Sequence, residues 1–207
     1  MNFENLQNIY YINLEERTDR KKHIENEFKK LGWNNYTRFN AIKHNKGAIG
    51  CSMSHLEILK NARNNNLDYV VILEDDIQFL DIDLYKKLFN KFMNNNIEFD
   101  VFMLAGNLIG KNNIRNDYYI KINRCFTTTG YIVKKHYFYK LINNIEEGVN
   151  NLIKRYNGSL YAIDVYWNIL QRNDNWYILY PRTITQLPSY SNIENKIKNY
   201  NKLMLDI

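Results

Sequence analysis

The stretch that most constrains this 207-residue chain is Val70-Val71-Ile72-Leu73, followed at once by Glu74-Asp75-Asp76. An unbroken aliphatic run of this length predicts a strand buried on both faces, as in the middle of a parallel sheet. The three carboxylates after it repel one another and cannot remain unpaired in a core, so they must stand where the strand ends. Ligands of open α/β sheets bind at the carboxyl edge, where these acids would sit. Their oxygens suit a hard divalent cation, which keeps waters and shares its shell with substrate phosphates. A solvated strand-to-loop junction is the competing reading of the same residues.

Strands and helices alternate through the first half, which predicts an α/β fold with a mixed, largely parallel central sheet flanked by helices. Ile9 to Leu14 reads as the first strand. Ile24, Phe28 and Leu31 then recur at helical spacing, with Thr18 or Asp19 as cap and Gly32 as terminator. Arg17 and Arg20 flank that helix start, where guanidinium groups beside free first-turn amides make an anion site; pairing with Asp19 or Glu16 is the alternative. Tyr36 to Ile42 is a second strand. Gly47 and Gly50 allow a tight backbone path into a helix capped by Ser52, which places Ser54 and His55 in its first turn.

Further on, a helix from about Leu84 to Met93 would bury Leu84, Leu88 and Phe92. A buried strand from Phe99 to Leu104 ends at Ala105-Gly106-Asn107. Lys111 to Asp117 reads as a polar loop, and Tyr118 to Asn123 as a short antiparallel strand. Gly130 interrupts the β-favouring run Cys125 to Val133, marking a bulge or a close backbone approach. Lys134 to Asn144 is helical, and Ala162 opens a helix with Asp164 at a typical capping position. Trp176 to Tyr180 is the last strand; the tail ends in a helix from about Asn192 that folds back over the site.

Composition narrows the partners. Hydrophobic residues at 45% and charged residues at 24% suit one globular domain over residues 1–207. The net charge of +6 favours polyanionic partners, but the basic residues are scattered from Arg17 to Lys202, so no nucleic-acid tail is indicated. A basic nucleic-acid-binding domain would explain the charge, yet Glu74-Asp75-Asp76 would repel a phosphate backbone. Cys51 and Cys125 form no Cys-x-x-Cys and no Cys/His zinc spacing, and reduced thiols are the simpler expectation. No leader and no apolar run near the roughly 20 residues of a membrane span are visible, so a soluble cytoplasmic chain is expected.

Four segments in order resemble glycosyltransferase family 25, the bacterial lipopolysaccharide and animal procollagen galactosyltransferases. They are Ile12-Asn13-Leu14 with Arg17 and Arg20, Gly47-x-x-Gly50-Cys51-x-x-Ser54-His55, Leu73-Glu74-Asp75-Asp76, and Thr128-Thr129-Gly130-Tyr131 followed by Asp164. Gln186 and Ser191-x-Ile193 are similar to the end of the family's C-terminal motif. The resemblance implies a GT-A-like domain using a UDP-sugar donor and Mn²⁺ (or Mg²⁺) to glycosylate a glycan or glycoprotein hydroxyl. Asn13, Leu14, Arg17, Arg20, Ser54, His55, Glu74, Asp75 and Gly130 would then contact the nucleotide sugar, and Asp76 with Glu74 the metal. Asp164 is the candidate general base of an inverting transfer, with Asp100, Asp117 and Glu146 as alternatives. A UDP-sugar-binding protein without transfer activity is the runner-up.

Overall fold

In the computed structural model, which describes residues 1–110, 113–191 and 196–205, the run from Val70 to Leu73 lies within a central strand. The first half of the chain alternates as expected: β1 (Ile9–Asn13), α1 (Thr18–Leu31), β2 (Tyr36–Asn40), α2 (Gly47–Asn64) and β3 (Tyr69–Glu74). After a short β4 (Ile77–Phe79) come α3 (Ile82–Asn94), β5 (Val101–Leu108), β6 (Ile114–Arg115), β7 (Tyr119–Lys121) and β8 (Cys125–Lys134). A helical stretch follows: α4 (Phe138–Lys154), α5 (Gly158–Tyr161), α6 (Ile163–Tyr166) and α7 (Asn168–Asn173). The chain closes with β9 (Trp176–Leu179), β10 (Ile184–Gln186), β11 (Ser189–Ser191), β12 (Lys196–Lys198) and α8 (Asn201–Met204).

Eight of these strands form one sheet in the order β2-β1-β3-β8-β5-β9-β7-β6. β8 and β7 run against the other six, so the sheet is mixed with most strands pointing one way. The alternation along β3 shows why its sequence is continuously apolar. Val70 and Ile72 face a core shared with α2, α4 and Trp167, whereas Val71 and Leu73 face an aromatic core built from α1, α3 and the N-terminal Phe3. Neither face meets water, so neither needs a polar residue. On the aromatic side, Phe3 meets Tyr85 and Phe89, and Phe89 meets Phe102, edge-to-face or tilted at centroid distances of 5.2–5.3 Å.

Several local expectations shift. Helix α2 starts at Gly47 rather than at Ser52, whose hydroxyl instead donates back to the Ala48 carbonyl. Ser54 and His55 therefore sit deeper in the helix than its first turn. Gly50 permits the early start: a Cβ there would stand 2.3 Å from the Ile42 carbonyl oxygen, so only glycine lets the preceding loop lie against the helix. Helix α1 takes no side-chain cap: Arg17 holds the N-cap position, Thr18 and Asp19 lie already within the helix, and Asp19 pairs with Arg17 at 2.9 Å. The buried stripe of α3 is Tyr85, Phe89 and Phe92, displaced by one residue from Leu84 and Leu88, and it begins behind an Asp81 cap. Ile114 and Arg115 form a short edge strand inside the expected polar loop. The tail from Ser189 folds as a hairpin followed by one helical turn; Lys111, Asn192 and Ile193 lie outside the described residues.

Candidate functional site

The carboxyl ends of β1 and β3 open onto a cavity of about 490 Å³. Its walls come from the start of α1, the loop and first turns of α2, the Glu74-Asp75-Asp76 turn, the start of β8, and α6. The returning tail closes one side with Leu187, Ser189, Lys198 and Tyr200. Of the residues expected to contact substrate or metal, Leu14, Arg17, Arg20, Ser54, His55, Glu74, Asp75, Asp76 and Asp164 line this cavity. Asp100, Asp117 and Glu146 do not: Asp100 bonds to His136, and Glu146 pairs with Lys60.

Two expected contacts hold other residues instead. Asn13 is buried, donates to Asp75 Oδ2 at 2.7 Å and to the Arg17 carbonyl, and accepts from Arg38 Nε. It fixes the acidic turn from behind. Gly130 lies beneath the cavity, where a Cβ would meet Ile77 at 2.8 Å and Leu73 at 3.0 Å. Its requirement is close packing of β8 on β3.

The three acids divide into different surroundings. Asp75 accepts from Asn13 and from Arg20 Nη1, the latter at 3.0 Å. Asp76 Oδ2 pairs with the same Arg20 nitrogen at 2.9 Å, while its buried Oδ1 has no hydrogen-bond partner among the described residues. Burial pushes the Asp76 carboxyl up to about 7; Arg20 opposes this, and the charges of Glu74 and Asp75 add to it. Burial also raises Asp75, against Arg20 and Asn13. Glu74 turns the other way. Its Oε1 accepts from Thr128 Oγ1 at 2.6 Å and its Oε2 from Gln186 Nε2 at 3.1 Å. Burial raises this carboxyl, but the His55 imidazole and the Thr128 hydroxyl outweigh it and hold Glu74 below its usual range. His55 Nε2 stands 3.6 Å from Glu74 Oε1 and makes no hydrogen bond to it.

Asp164 is no helix cap. It reaches the cavity, and its Oδ2 accepts from the Thr127 amide at 3.1 Å. Thr127 has φ +73°, a left-handed conformation rare for a β-branched residue. The strain arises where β8 slips against β5: Ala105 pairs with Gly130 but Asn107 with Phe126, leaving extra β8 residues to bulge toward the cavity. Burial raises the Asp164 carboxyl, with the Thr127 amide opposing.

Thr127, Thr128, Cys51 and Gln186 were not expected at the site, although Cys51, Thr128 and Gln186 stand within or beside the motifs named above. Arg20 is further clamped by the tail: its Nη2 donates to Ser189 Oγ at 2.6 Å and to the Tyr190 carbonyl at 3.1 Å. No helix among the described residues is long and apolar enough to cross a membrane.

A mixed α/β domain with an acidic, arginine-faced cavity at its sheet edge is thus the class defined by fold and site. The sequence model of glycosyltransferase family 25 (LPS biosynthesis protein) matches residues 44–166, more than half of the chain, and the chain belongs to that family. No curated protein matches it significantly. Among solved structures, it is similar to a Drosophila beta-1,4-galactosyltransferase 7 mutant in complex with manganese, UDP-Gal and xylobiose, at 12% identity and TM-score 0.48 over 94% of this chain and 76% of that one. It is also similar to a UDP-glucose pyrophosphorylase complexed with UDP-glucose, at 10% identity and TM-score 0.48 over 83% and 72%. A mannose-1-phosphate geranyltransferase from Thermus thermophilus matches at 8% identity and TM-score 0.43 over 82% of this chain, which spans 58% of that protein's length.

Proposed function

We propose that the chain is a metal-dependent hexosyltransferase that moves a sugar from a UDP-sugar to a hydroxyl of a glycan or glycosylated protein. The observation that carries this reading is the convergence of Arg17, Arg20, Asp76 and Asp164 on one cavity at the ends of β1 and β3. Family membership supports a glycosyl transfer there.

Arg17 and Arg20, at the start of α1, present guanidinium groups suited to a diphosphate. The unpartnered, buried Oδ1 of Asp76 fits a hard cation, and Mn²⁺ or Mg²⁺ held there would neutralise charge on the departing UDP. Asp75, already bonded to Asn13 and Arg20, holds Arg20 in place rather than offering a free ligand oxygen. Asp164 is the base: its carboxylate accepts the acceptor hydroxyl's proton as that oxygen attacks the anomeric carbon and the sugar–phosphate bond breaks. Its raised pKa strengthens it as a base, and the Thr127 amide fixes the orientation of Oδ2.

The test is a donor screen that follows UDP release, with and without added Mn²⁺ and candidate glycan acceptors, beside thermal shifts with the same donors. Metal-dependent UDP release is expected with at least one UDP-hexose. Stabilisation by a single-stranded oligonucleotide and by no UDP-sugar would overturn the assignment.

A further inference from the structure

In the same cavity as Asp76, a second group of side chains has a different chemistry. Cys51 and His55 are four residues apart on α2 and so share one face of the helix, and Glu74 at the end of β3 stands opposite. Cys51 Sγ lies 3.7 Å and His55 Nε2 3.6 Å from Glu74 Oε1, and all three ligand atoms fall within 4.8 Å of one another. His55 is fully buried, yet its Nε2 has no hydrogen-bond partner among the described residues. We propose that Cys51 Sγ, His55 Nε2 and Glu74 Oε1 form a binding site for a borderline transition-metal ion of the Zn²⁺ class, its fourth position open to the cavity.

The spacings suit such an ion. Tetrahedral bonds of about 2.0–2.3 Å place neighbouring ligand atoms roughly 3.3–3.7 Å apart. Both separations to Glu74 are already near that range. The third separation, Cys51 Sγ to His55 Nε2, is within 4.8 Å, and rotation of the partly buried Cys51 side chain would close it.

The surrounding hydrogen bonds orient the set as metal ligands require. Tyr131 OH lies 2.9 Å from His55 Nδ1, so a proton on Nδ1 donated to the phenol leaves the Nε2 lone pair facing the site. Thr128 and Gln186 hold the two Glu74 oxygens. Charge also balances. A thiolate, a carboxylate and a neutral imidazole carry two negative charges, which a divalent ion cancels, so a buried site ends electrically neutral. Binding breaks the Cys51 S–H bond, forms the sulfur–metal bond and releases the proton to solvent. Thiolate and imidazole select a softer ion than the carboxylate oxygen of Asp76 does, so this site is chemically distinct from the one proposed for Mn²⁺. The zinc-like pattern is invisible as a sequence motif because its third ligand comes from a strand rather than from a second Cys or His pair.

The site shares the cavity of the proposed transfer reaction but is tested without that reaction. The full chain, stripped with EDTA and dialysed, is titrated with Co²⁺ and read by absorption. One equivalent should produce a thiolate-to-cobalt charge-transfer band that Zn²⁺ abolishes by displacement. Cys51→Ser should lose that band, Asp76→Asn should keep it, and Tyr131→Phe should weaken the affinity about 10–100-fold. Independently, one equivalent of Zn²⁺ should protect Cys51 of the unaltered protein from iodoacetamide. That measurement decides the matter should the Cys51 variant fail to fold by circular dichroism. The proposal is overturned if stoichiometric Co²⁺ gives no thiolate band, if a folded Cys51→Ser protein retains it, if Asp76→Asn removes it, or if Zn²⁺ leaves alkylation unchanged.

Discussion

Replacing Asp76 by Asn should stabilise the cation-free protein at neutral pH. The ordinary carboxyl value of 3.8 rises to about 7 in the fold, because burial and the neighbouring acids outweigh Arg20. Between those values the folded state holds a proton that the unfolded chain has lost. Stability therefore falls as pH climbs through that window, and the loss is complete above it. At 1.36 kcal/mol per unit, the interval sets a ceiling of about 4 kcal/mol. Asparagine forfeits the charged contact with Arg20 at 2.9 Å, although Arg20 keeps Asp75 at 3.0 Å. A net gain of about 2 kcal/mol is the working figure, which for a chain of this size is a Tm increase of about 4–8 °C. The assay is thermal denaturation in chelator from about pH 4 to about pH 8. The difference between variant and parent should be near zero at the acid end and grow toward neutrality. Mn²⁺ should then raise the Tm of the parent at neutral pH and leave the variant unmoved. Parallel pH profiles for the two proteins would refute the reasoning, since they would mean Asp76 ionises without penalty.

Three further outcomes are expected. Asp164→Asn should retain UDP-sugar binding by calorimetry while kcat drops about 10²–10⁴-fold, the usual contribution of a general base; equal loss of binding would make Asp164 a donor contact instead. Arg20→Met should cost about 3–5 kcal/mol at neutral pH in urea denaturation, because it strands buried Asp75 and Asp76 charges, and less near pH 4, where both can take up protons. Gly50→Ala should lower stability by about 1–3 kcal/mol, since its Cβ would sit 2.3 Å from the Ile42 carbonyl oxygen and neither backbone segment can yield freely.

The sequence by itself determined the sheet and its acidic edge. Four consecutive aliphatic residues have no stable place except a strand covered on both sides, and three carboxylates cannot follow them inward. Helix periodicity likewise located α1 and α2, and the ordered motifs pointed to the family. Tertiary structure decided which atoms face the cavity. Asn13 and Gly130 stand beside the site in sequence pattern yet serve it from behind, because one bonds the Asp75 carboxylate and the other lets β8 pack on β3. The shifted stripe of α3 was illegible because Leu84, Leu88, Tyr85 and Phe89 satisfy the same helical period, and only the aromatic cluster around Phe3 selects the larger pair. Glu74 and Asp76 are two residues apart and indistinguishable in sequence. They part company only because Thr128 and Gln186, remote along the chain, take hold of Glu74, while Arg20 holds Asp76.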